Sequence, residues 1–220
     1  MIPRLLVVTP PAGPVTTACV EAADALGIAV AILLREPGTD PGALLEPGAR
    51  VAALREAALR RGMPVLLSCS VADAEALAPA AAGAGLSGLQ LRGDPSDAAL
   101  LCARAAWPGA MLGASVHGEA RPTEADYVVF APVFTPRTAA PFPKRPAGLP
   151  ALTAWTRRHP TVFALGGVTT HNAPACAQAG VHGIAGISTF LGTPDAVAET
   201  LRALVSALTL RPDVPPRTRG

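Results

Sequence analysis

Apolar residues occur along this chain in two alternating patterns. Short apolar runs of strand length recur between longer Ala- and Leu-rich stretches whose apolar positions have helical spacing. The predicted strands are Leu5–Thr9, Ala29–Leu34, Pro64–Ser68, Leu86–Leu91, Met111–Val116, Tyr127–Phe130, Thr161–Leu165 and Gly183–Ile187. The predicted helices are Pro14–Leu26, Gly48–Arg61, Val71–Ala82, Asp97–Ala106, Thr170–Ala179 and Pro194–Leu208.

This near-complete alternation predicts an α/β fold, a single (β/α)8 (TIM) barrel formed by residues 1–210. Eight strand-length runs fit a closed barrel better than an open sheet. Two places depart from the alternation. The segment Gly118–Ala125 has little helical periodicity, and the Pro-rich segment Thr135–Pro150 is too long for a simple connection. Residues 211–220, with three prolines and three arginines, are predicted to form a flexible C-terminal tail.

Composition and charge narrow the class of protein. Half of the 220 residues are apolar and 15% are charged, as expected for a globular core, and the net charge is +2. Basic and aromatic residues are not interleaved in patches, so no nucleic-acid partner is expected. No long apolar segment or signal peptide is evident, which favours a cytoplasmic protein without a membrane partner. The four cysteines lack the short spacing of a zinc site and are expected to be buried thiols. The sequence is compatible with either a monomer or a homo-oligomer.

The last two predicted strands end in glycine-containing turns. Gly166-Gly167 follows the seventh strand, and Gly186-Ile187-Ser188-Thr189 ends the eighth before a helical stretch. In barrels, loops at these positions expose backbone N–H groups that bind phosphate, and glycine permits close approach of the ligand. We therefore predict a phosphate site at Gly166, Gly167, Ile187 and Ser188. The alternative is that these glycines only form tight turns.

His117 is the best catalytic candidate, because it directly follows the fifth predicted strand and so lies on the catalytic face of a barrel. An imidazole titrates near neutral pH and can move protons. A structural hydrogen bond at the strand end is the alternative. His159 and His182 precede strands and are expected at the opposite end.

Three further polar residues lie in or near strand ends and are predicted to bind substrate: Arg35, Ser68 and Gln90. Arg35 either anchors a carboxylate or phosphate through its planar guanidinium group or forms a salt bridge with Glu36 or another acid at the rim of the barrel. Asp94 lies in a turn, where a capping role is more usual than metal binding.

Several segments, taken in order, resemble the thiamine-phosphate synthase superfamily from Leu5 to about Leu208. They are Leu34-Arg35-Glu36, Gly88-Leu89-Gln90-Leu91, Ser115-Val116-His117, Ala125-Asp126-Tyr127-Val128-Val129-Phe130, Pro132-Val133-Phe134, Ala164-Leu165-Gly166-Gly167-Val168 and Ala179-Gly180-Val181-His182-Gly183-Ile184-Ala185. Each segment alone is common, but the ordered set is specific.

Synthases of this superfamily join a pyrimidine pyrophosphate to a thiazole phosphate with Mg²⁺. Their third strand carries a sequence similar to Asn-Asp-Arg, where this chain has Ser68-Cys69-Ser70. Where they carry Gly-Gln and two acids, it has Arg92-Gly93-Asp94-Pro95, and their Thr-Lys pair is replaced by Thr138-Ala139, with Lys144 further on. The resemblance therefore implies that the metal ligands of the synthase are lost, and no metal or other cofactor is expected.

The thiazole tautomerase (TenI-type) branch is similar at the fourth, fifth and sixth strands. In that branch the histidine that matches His117 transfers a proton within a thiazole carboxylate phosphate, without a metal, and Gly148 matches a phosphate-contacting glycine. We therefore expect an isomerase of thiamine biosynthesis that acts on a small phosphorylated thiazole. The alternatives are a thiamine-phosphate synthase, which is a transferase, and a barrel that binds a phosphate ligand without turnover.

Overall fold

The computed structural model describes residues 2–13, 15–136 and 145–209. Eight parallel strands pair in sequence order, and the eighth pairs with the first, so the sheet is closed. The predicted (β/α)8 barrel is thus confirmed. The strands are β1 Leu5–Val8, β2 Val30–Leu34, β3 Val65–Cys69, β4 Gly88–Leu91, β5 Met111–Val116, β6 Tyr127–Phe130, β7 Val162–Ala164 and β8 Gly183–Gly186.

Seven α-helices surround the described part of the barrel. They are α1 Ala18–Leu26, α2 Ala52–Arg60, α3 Val71–Gly83, α4 Asp97–Ala106, α5 Gly148–Arg158, α6 Ala173–Gln178 and α7 Pro194–Thr209. Short 3₁₀ helices cover Pro41–Leu45 and Ser188–Phe190. No helix lies between β5 and β6, as the weak periodicity there predicted. Within the described ranges, no helix is both long and apolar enough to cross a lipid bilayer.

Helix α5 corrects the sequence analysis, which placed its first residues in the Pro-rich loop and predicted no helix after them. Pro150 lies in the first turn of α5, where the backbone N–H groups have no intrahelical partner and proline is tolerated. Leu152 and Trp155 lie on one face of the helix and are buried in the core. The rest of the loop, 137–144, and the tail, 211–220, lie outside the described residues, so the predictions for them stay predictions.

The strands bury side chains on both faces, which explains their nearly continuous apolar sequences. Alternate residues such as Leu5 and Val7 face the helices, whereas Leu6, Tyr127 and Phe163 belong to a second cluster inside the barrel. The rings of Tyr127 and Phe163 pack edge to face, with their centroids 5.7 Å apart. The barrel interior is therefore a packed core.

All four cysteines are free thiols, and three of them, Cys19, Cys69 and Cys176, are buried as predicted. Burial raises the pKa of the Cys19 thiol to about 11 and the pKa of the Cys69 and Cys176 thiols to about 12, so these groups stay protonated at neutral pH. Cys102 on α4 is exposed, which corrects the expectation of burial for this residue.

The first prediction concerns Gly113 on the inner face of β5. A Cβ atom there would collide with Oε1 of Gln90 and with the ring and hydroxyl of Tyr127. We expect Gly113→Ala to lower the free energy of unfolding, measured by urea denaturation, by about 1–3 kcal/mol because the core is overpacked.

Gly83, the last residue of α3, provides the matched control. An added Cβ meets no atom within 4 Å there, so Gly83→Ala should leave stability unchanged or raise it by up to about 1 kcal/mol. Equal unfolding free energies for the two variants would contradict the packing described here.

Candidate active site

The carboxyl ends of all eight strands meet at one mouth because the strands are parallel and the barrel is closed. The structure thereby brings together most of the predicted site residues. At this mouth lie Arg35 after β2, His117 after β5, Gly166 and Gly167 after β7, and Ile187 and Ser188 after β8. Ser68 and Gln90 lie within β3 and β4, just beneath it.

A small cleft of about 40 Å³ lies between the ends of β7 and β8. Its lining includes Gly166, Gly167, Gly186, Ile187 and Ser188, and we call it the glycine cleft. Within the described chain, the backbone N–H groups of Gly166, Gly167, Ile187 and Ser188 donate to no acceptor. Such a group of free donors in a concave site is suited to an anion.

The turn after β7 needs two glycines because residues 132–135, in the loop after β6, pack directly against it. Gly166 has φ +92° and Gly167 has φ +65°, values that favour glycine. A Cβ atom on Gly166 would lie 2.6 Å from Cβ of Pro132, and one on Gly167 would lie 2.8 Å from Cβ of Phe134. The amide of Phe134 also donates to the carbonyl of Gly166 at 2.9 Å. The loop after β6 therefore packs directly on this turn.

Gly148, also predicted to contact phosphate, lies at the start of α5 and is not part of the cleft lining. Its amide donates to the carbonyl of Val133 at 3.1 Å. Because this N–H group is already used, the structure does not bring Gly148 to the cleft as a free donor.

His117 is held by Asp94, which lies in the turn after β4. The backbone amide of His117 donates to Oδ1 of Asp94 at 2.7 Å, and ring atom Nδ1 lies 2.9 Å from Oδ2. Partial burial acts to raise the pKa of the Asp94 carboxyl. The hydrogen bonds and charge of His117, with the amide of Gly118, outweigh burial and lower this pKa below its usual value. Asp94 is therefore ionised at neutral pH.

Sequence reasoning missed this pair, since it assigned Asp94 to a turn or cap. The residue has φ +56°, an uncommon value for a residue other than glycine, although Asp tolerates it better than most. The adjacency of Gly93 and Pro95 signalled the turn, but nothing local indicated a contact with a histidine 23 positions away.

Arg35 does not form the salt bridge with Glu36 that was one of its two interpretations. Glu36 instead pairs with Arg50, whose Nε lies 3.2 Å from its carboxylate. No carboxylate of the described ranges pairs with Arg35 or with Arg92, which follows β4. Burial lowers the pKa of the Arg35 guanidinium, and the positive charge of Arg92 lowers it further. The mouth thus carries two guanidinium groups that lack a described acidic partner.

Ser68 and Gln90 are buried on the inner face of the barrel, with 3% and 0% exposure. Nε2 of Gln90 donates to the hydroxyl of Ser115 at 3.1 Å. In the described structure, Oγ of Ser68, Oε1 of Gln90 and the hydroxyl of Tyr127 have no hydrogen-bond partner. Buried polar atoms are usually paired, so these three offer contacts to a ligand or to water. Sequence reasoning did not single out Tyr127.

The residues at the metal-ligand positions of the synthase do not fit Mg²⁺, which prefers carboxylate and other oxygen ligands. Cys69 packs in the outer core, and the hydroxyl of Ser70 caps α3 and donates to the Asp73 carboxylate at 2.6 Å. Both oxygens of Asp94 already contact His117. In the ranges that the structure describes, no three His, Cys, Asp or Glu side chains form a group that could hold a metal ion.

A larger depression of about 440 Å³ lies at the opposite end of the barrel, where the strands begin. It is shallow, and its lining includes His182 and the ion pair of Arg104 and Asp126, with atoms 2.8 Å apart. His159 is buried nearby and contacts the carbonyl of Ala125 through Nε2 at 2.9 Å. The predicted position of both histidines, away from the catalytic face, agrees with the structure.

Two curated relatives are about one-third identical to this chain over the aligned residues. A Bordetella bronchiseptica protein named thiamine-phosphate synthase is 33% identical over 139 residues, 58% of this chain and 63% of its own length. A Geobacter sulfurreducens protein, which carries a provisional form of that name, is 35% identical over 145 residues, 63% of this chain and 64% of its own length. The matches therefore span a little under two thirds of these relatives. These names correspond to thiamine-phosphate synthase activity, which the sequence analysis gave as an alternative to the tautomerase.

The fold is shared with a solved structure, the thiamine phosphate pyrophosphorylase from Pyrococcus furiosus. The TM-score is 0.67 at 23% identity, over 94% of this chain and 95% of that one. Residues 5–190 match the family model described as thiamine monophosphate synthase. The resemblance seen in the sequence is thus confirmed, and the chain belongs to the thiamine monophosphate synthase family.

Proposed function

We propose that this protein is an enzyme of thiamine biosynthesis that moves a proton within a thiazole carboxylate phosphate. Family membership supports the class of ligand. The observation that carries the reaction type is the contact of His117 with Asp94, 2.9 Å from Nδ1 to Oδ2, at the mouth that also holds the glycine cleft. A histidine held in this way is suited to general acid–base catalysis.

The substrate's two acidic groups match two parts of the mouth. Its phosphate would accept hydrogen bonds from the free amides of the glycine cleft. Its carboxylate would lie near Arg35 and Arg92, because the guanidinium group binds carboxylates through paired N–H donors. With the phosphate in the glycine cleft and the carboxylate near Arg35, the thiazole ring would lie across the mouth, between the ends of β2 and β8.

The chemistry then needs only one side chain that takes up and returns a proton. Nε2 of His117 removes a proton from a carbon atom next to the unsaturated system, and the C–H electron pair enters the conjugated ring. The same imidazolium returns the proton at the acceptor position. The aromaticity of the product favours the forward direction.

Thiamine-phosphate synthase activity is the second candidate, and the names of the curated relatives favour it. The residues oppose it, because Ser68, Cys69 and Ser70 replace the synthase's Asn-Asp-Arg and supply no carboxylate. Residues 138–144, which would include the counterpart of the pyrophosphate-binding Thr-Lys pair, lie outside the described ranges.

Parallel assays test the two candidates. With the non-aromatic thiazole carboxylate phosphate, we expect the aromatic isomer to form at the same rate with and without a chelator, because no metal takes part. With pyrimidine pyrophosphate, thiazole phosphate and Mg²⁺, we expect no thiamine phosphate.

Mg²⁺-dependent formation of thiamine phosphate would instead establish the synthase. Phosphate binding without either reaction would favour the third hypothesis, a barrel that binds its ligand without turnover.

Replacement of His117 by Asn or Ala should lower kcat by ~10²–10⁴-fold, the usual contribution of a general acid–base group. Phosphate binding should be nearly unchanged, because other loops hold the anion. Steady-state kinetics, phosphate titration and melting temperature measured together check this expectation. His171→Asn is the matched control, since His171 is exposed after β7 and lies outside the cleft lining. Full turnover by the His117 variants would exclude His117 as the proton shuttle.

Ser188→Asp should abolish phosphate binding, because it places a negative charge in the glycine cleft. Ser188 is exposed at the start of a short helix, so the substitution should not lower stability. The measurement is the rise in melting temperature on adding inorganic phosphate, against chloride at equal ionic strength.

Thr193→Asp is the control for charge. Thr193 lies next to α7, where its hydroxyl accepts from the amide of Ala196, and Asp serves equally well as an N-cap. Phosphate should stabilise this variant as it does the wild type, and an equal loss in both variants would argue against the cleft as the site.

A further inference from the structure

The carboxylate of Asp94 contacts the main chain and the ring of one residue at the same time. Oδ1 accepts from the backbone amide of His117 at 2.7 Å, and Oδ2 lies 2.9 Å from Nδ1 of its ring. The first contact fixes the carboxylate relative to the end of β5. The second then restricts the orientation of the imidazole relative to the same strand end.

Asp94 is itself held in place by contacts that do not involve its carboxylate. Its amide donates to the carbonyl of Ser115 at 3.0 Å. Nη2 of Arg121 donates to the carbonyl of Asp94 at 3.2 Å and to that of Pro95 at 2.7 Å. The turn after β4 is therefore tied to β5 and to the loop after it. The Asp94 carboxylate is in position without any ligand.

These contacts determine which ring nitrogen carries the proton when the imidazole is neutral. An ionised carboxylate only accepts hydrogen bonds, so Nδ1 must be the donor. The neutral ring then has an unprotonated Nε2, which has no partner in the described part of the chain. The His117 side chain is 30% exposed, which leaves the ring accessible from the mouth.

We infer that Asp94 is a positioning residue for His117, which keeps the proton of the neutral ring on Nδ1 and presents Nε2 as the base. Its catalytic consequence rests on the proposed function, but the tautomer itself does not. Asp94 is the one acid in the segment Arg92-Gly93-Asp94-Pro95, where the resemblance places two acids of the synthase. In this structure the Asp94 carboxylate contacts the imidazole of His117.

The tautomer is measured directly by long-range ¹H–¹⁵N NMR of the histidine rings at a pH where His117 is neutral, with the signal assigned by its loss in His117→Asn. Wild type should show protonated Nδ1. In Asp94→Asn the amide group can donate to Nδ1, so the proton should move to Nε2. In Asp94→Gly the constraint is removed and the Nδ1-protonated form should no longer predominate. Asn and Gly both tolerate the positive φ of position 94, so both Asp94 variants should fold.

Asp126→Asn is the matched control. The Asp126 carboxylate also accepts a backbone amide of β5, that of Leu112 at 2.7 Å, and pairs with Arg104, but at the opposite end of the strand. This variant should keep the wild-type His117 tautomer even if its melting temperature falls. A wild-type ring protonated on Nε2, or an unchanged tautomer in both Asp94 variants, would overturn the inference.

Turnover separates this inference from the proposed function. If the protein is a tautomerase, Asp94→Asn should lower kcat by up to the ~10²–10⁴-fold expected for His117 itself, with little change in phosphate binding. A tautomer that shifts as described in an enzyme without tautomerase activity would refute the proposed function and leave the role of Asp94 intact. Wild-type kcat in Asp94→Asn, despite tautomerase activity, would refute the catalytic role of the positioning.

Discussion

Closure of the barrel is the constraint on which the candidate site depends. The pairing of β1 with β8 joins Leu5 to Ile184 and Val7 to Gly186, so that the last strand lies beside the first. Only a closed ring of parallel strands puts the turns after β2, β5, β7 and β8 around the same opening. The anion-binding and proton-transfer groups of the proposed mechanism come from different turns, and no segment of the chain contains both.

Much of the fold was predictable because its signals are local. Strands buried on both faces have apolar sequences, and Gly166-Gly167 marks a turn that no larger residue can form. The features that were missed depend on contacts between distant segments. The choice of Arg50 over Arg35 as partner of Glu36 is set by the position of the segment before α2. The loss of Gly148 as a free donor is set by the carbonyl of Val133. Neither can be read from neighbouring residues.

Two sets of positions that the resemblance singles out differ in what they hold in this chain. The glycine cleft keeps the composition that anion binding requires, whereas the metal-ligand positions of the synthase have residues with structural contacts. Cys69 packs in the core between strands and helices, and Ser70 caps the N-terminus of α3. A carboxylate at position 69 would be surrounded by apolar side chains, which makes ionisation costly.

The two guanidinium groups at the mouth also affect events before any ligand is bound. Arg35 and Arg92 are partly buried and have no described acidic partner, so their field extends into solvent instead of being cancelled at short range. A substrate with two anionic groups would be drawn to this end of the barrel and turned so that its charges enter first. Attraction of this kind acts over roughly 10 Å at 0.1 M salt and weakens as salt is added. The rate of encounter, more than the strength of the final contacts, would then depend on ionic strength.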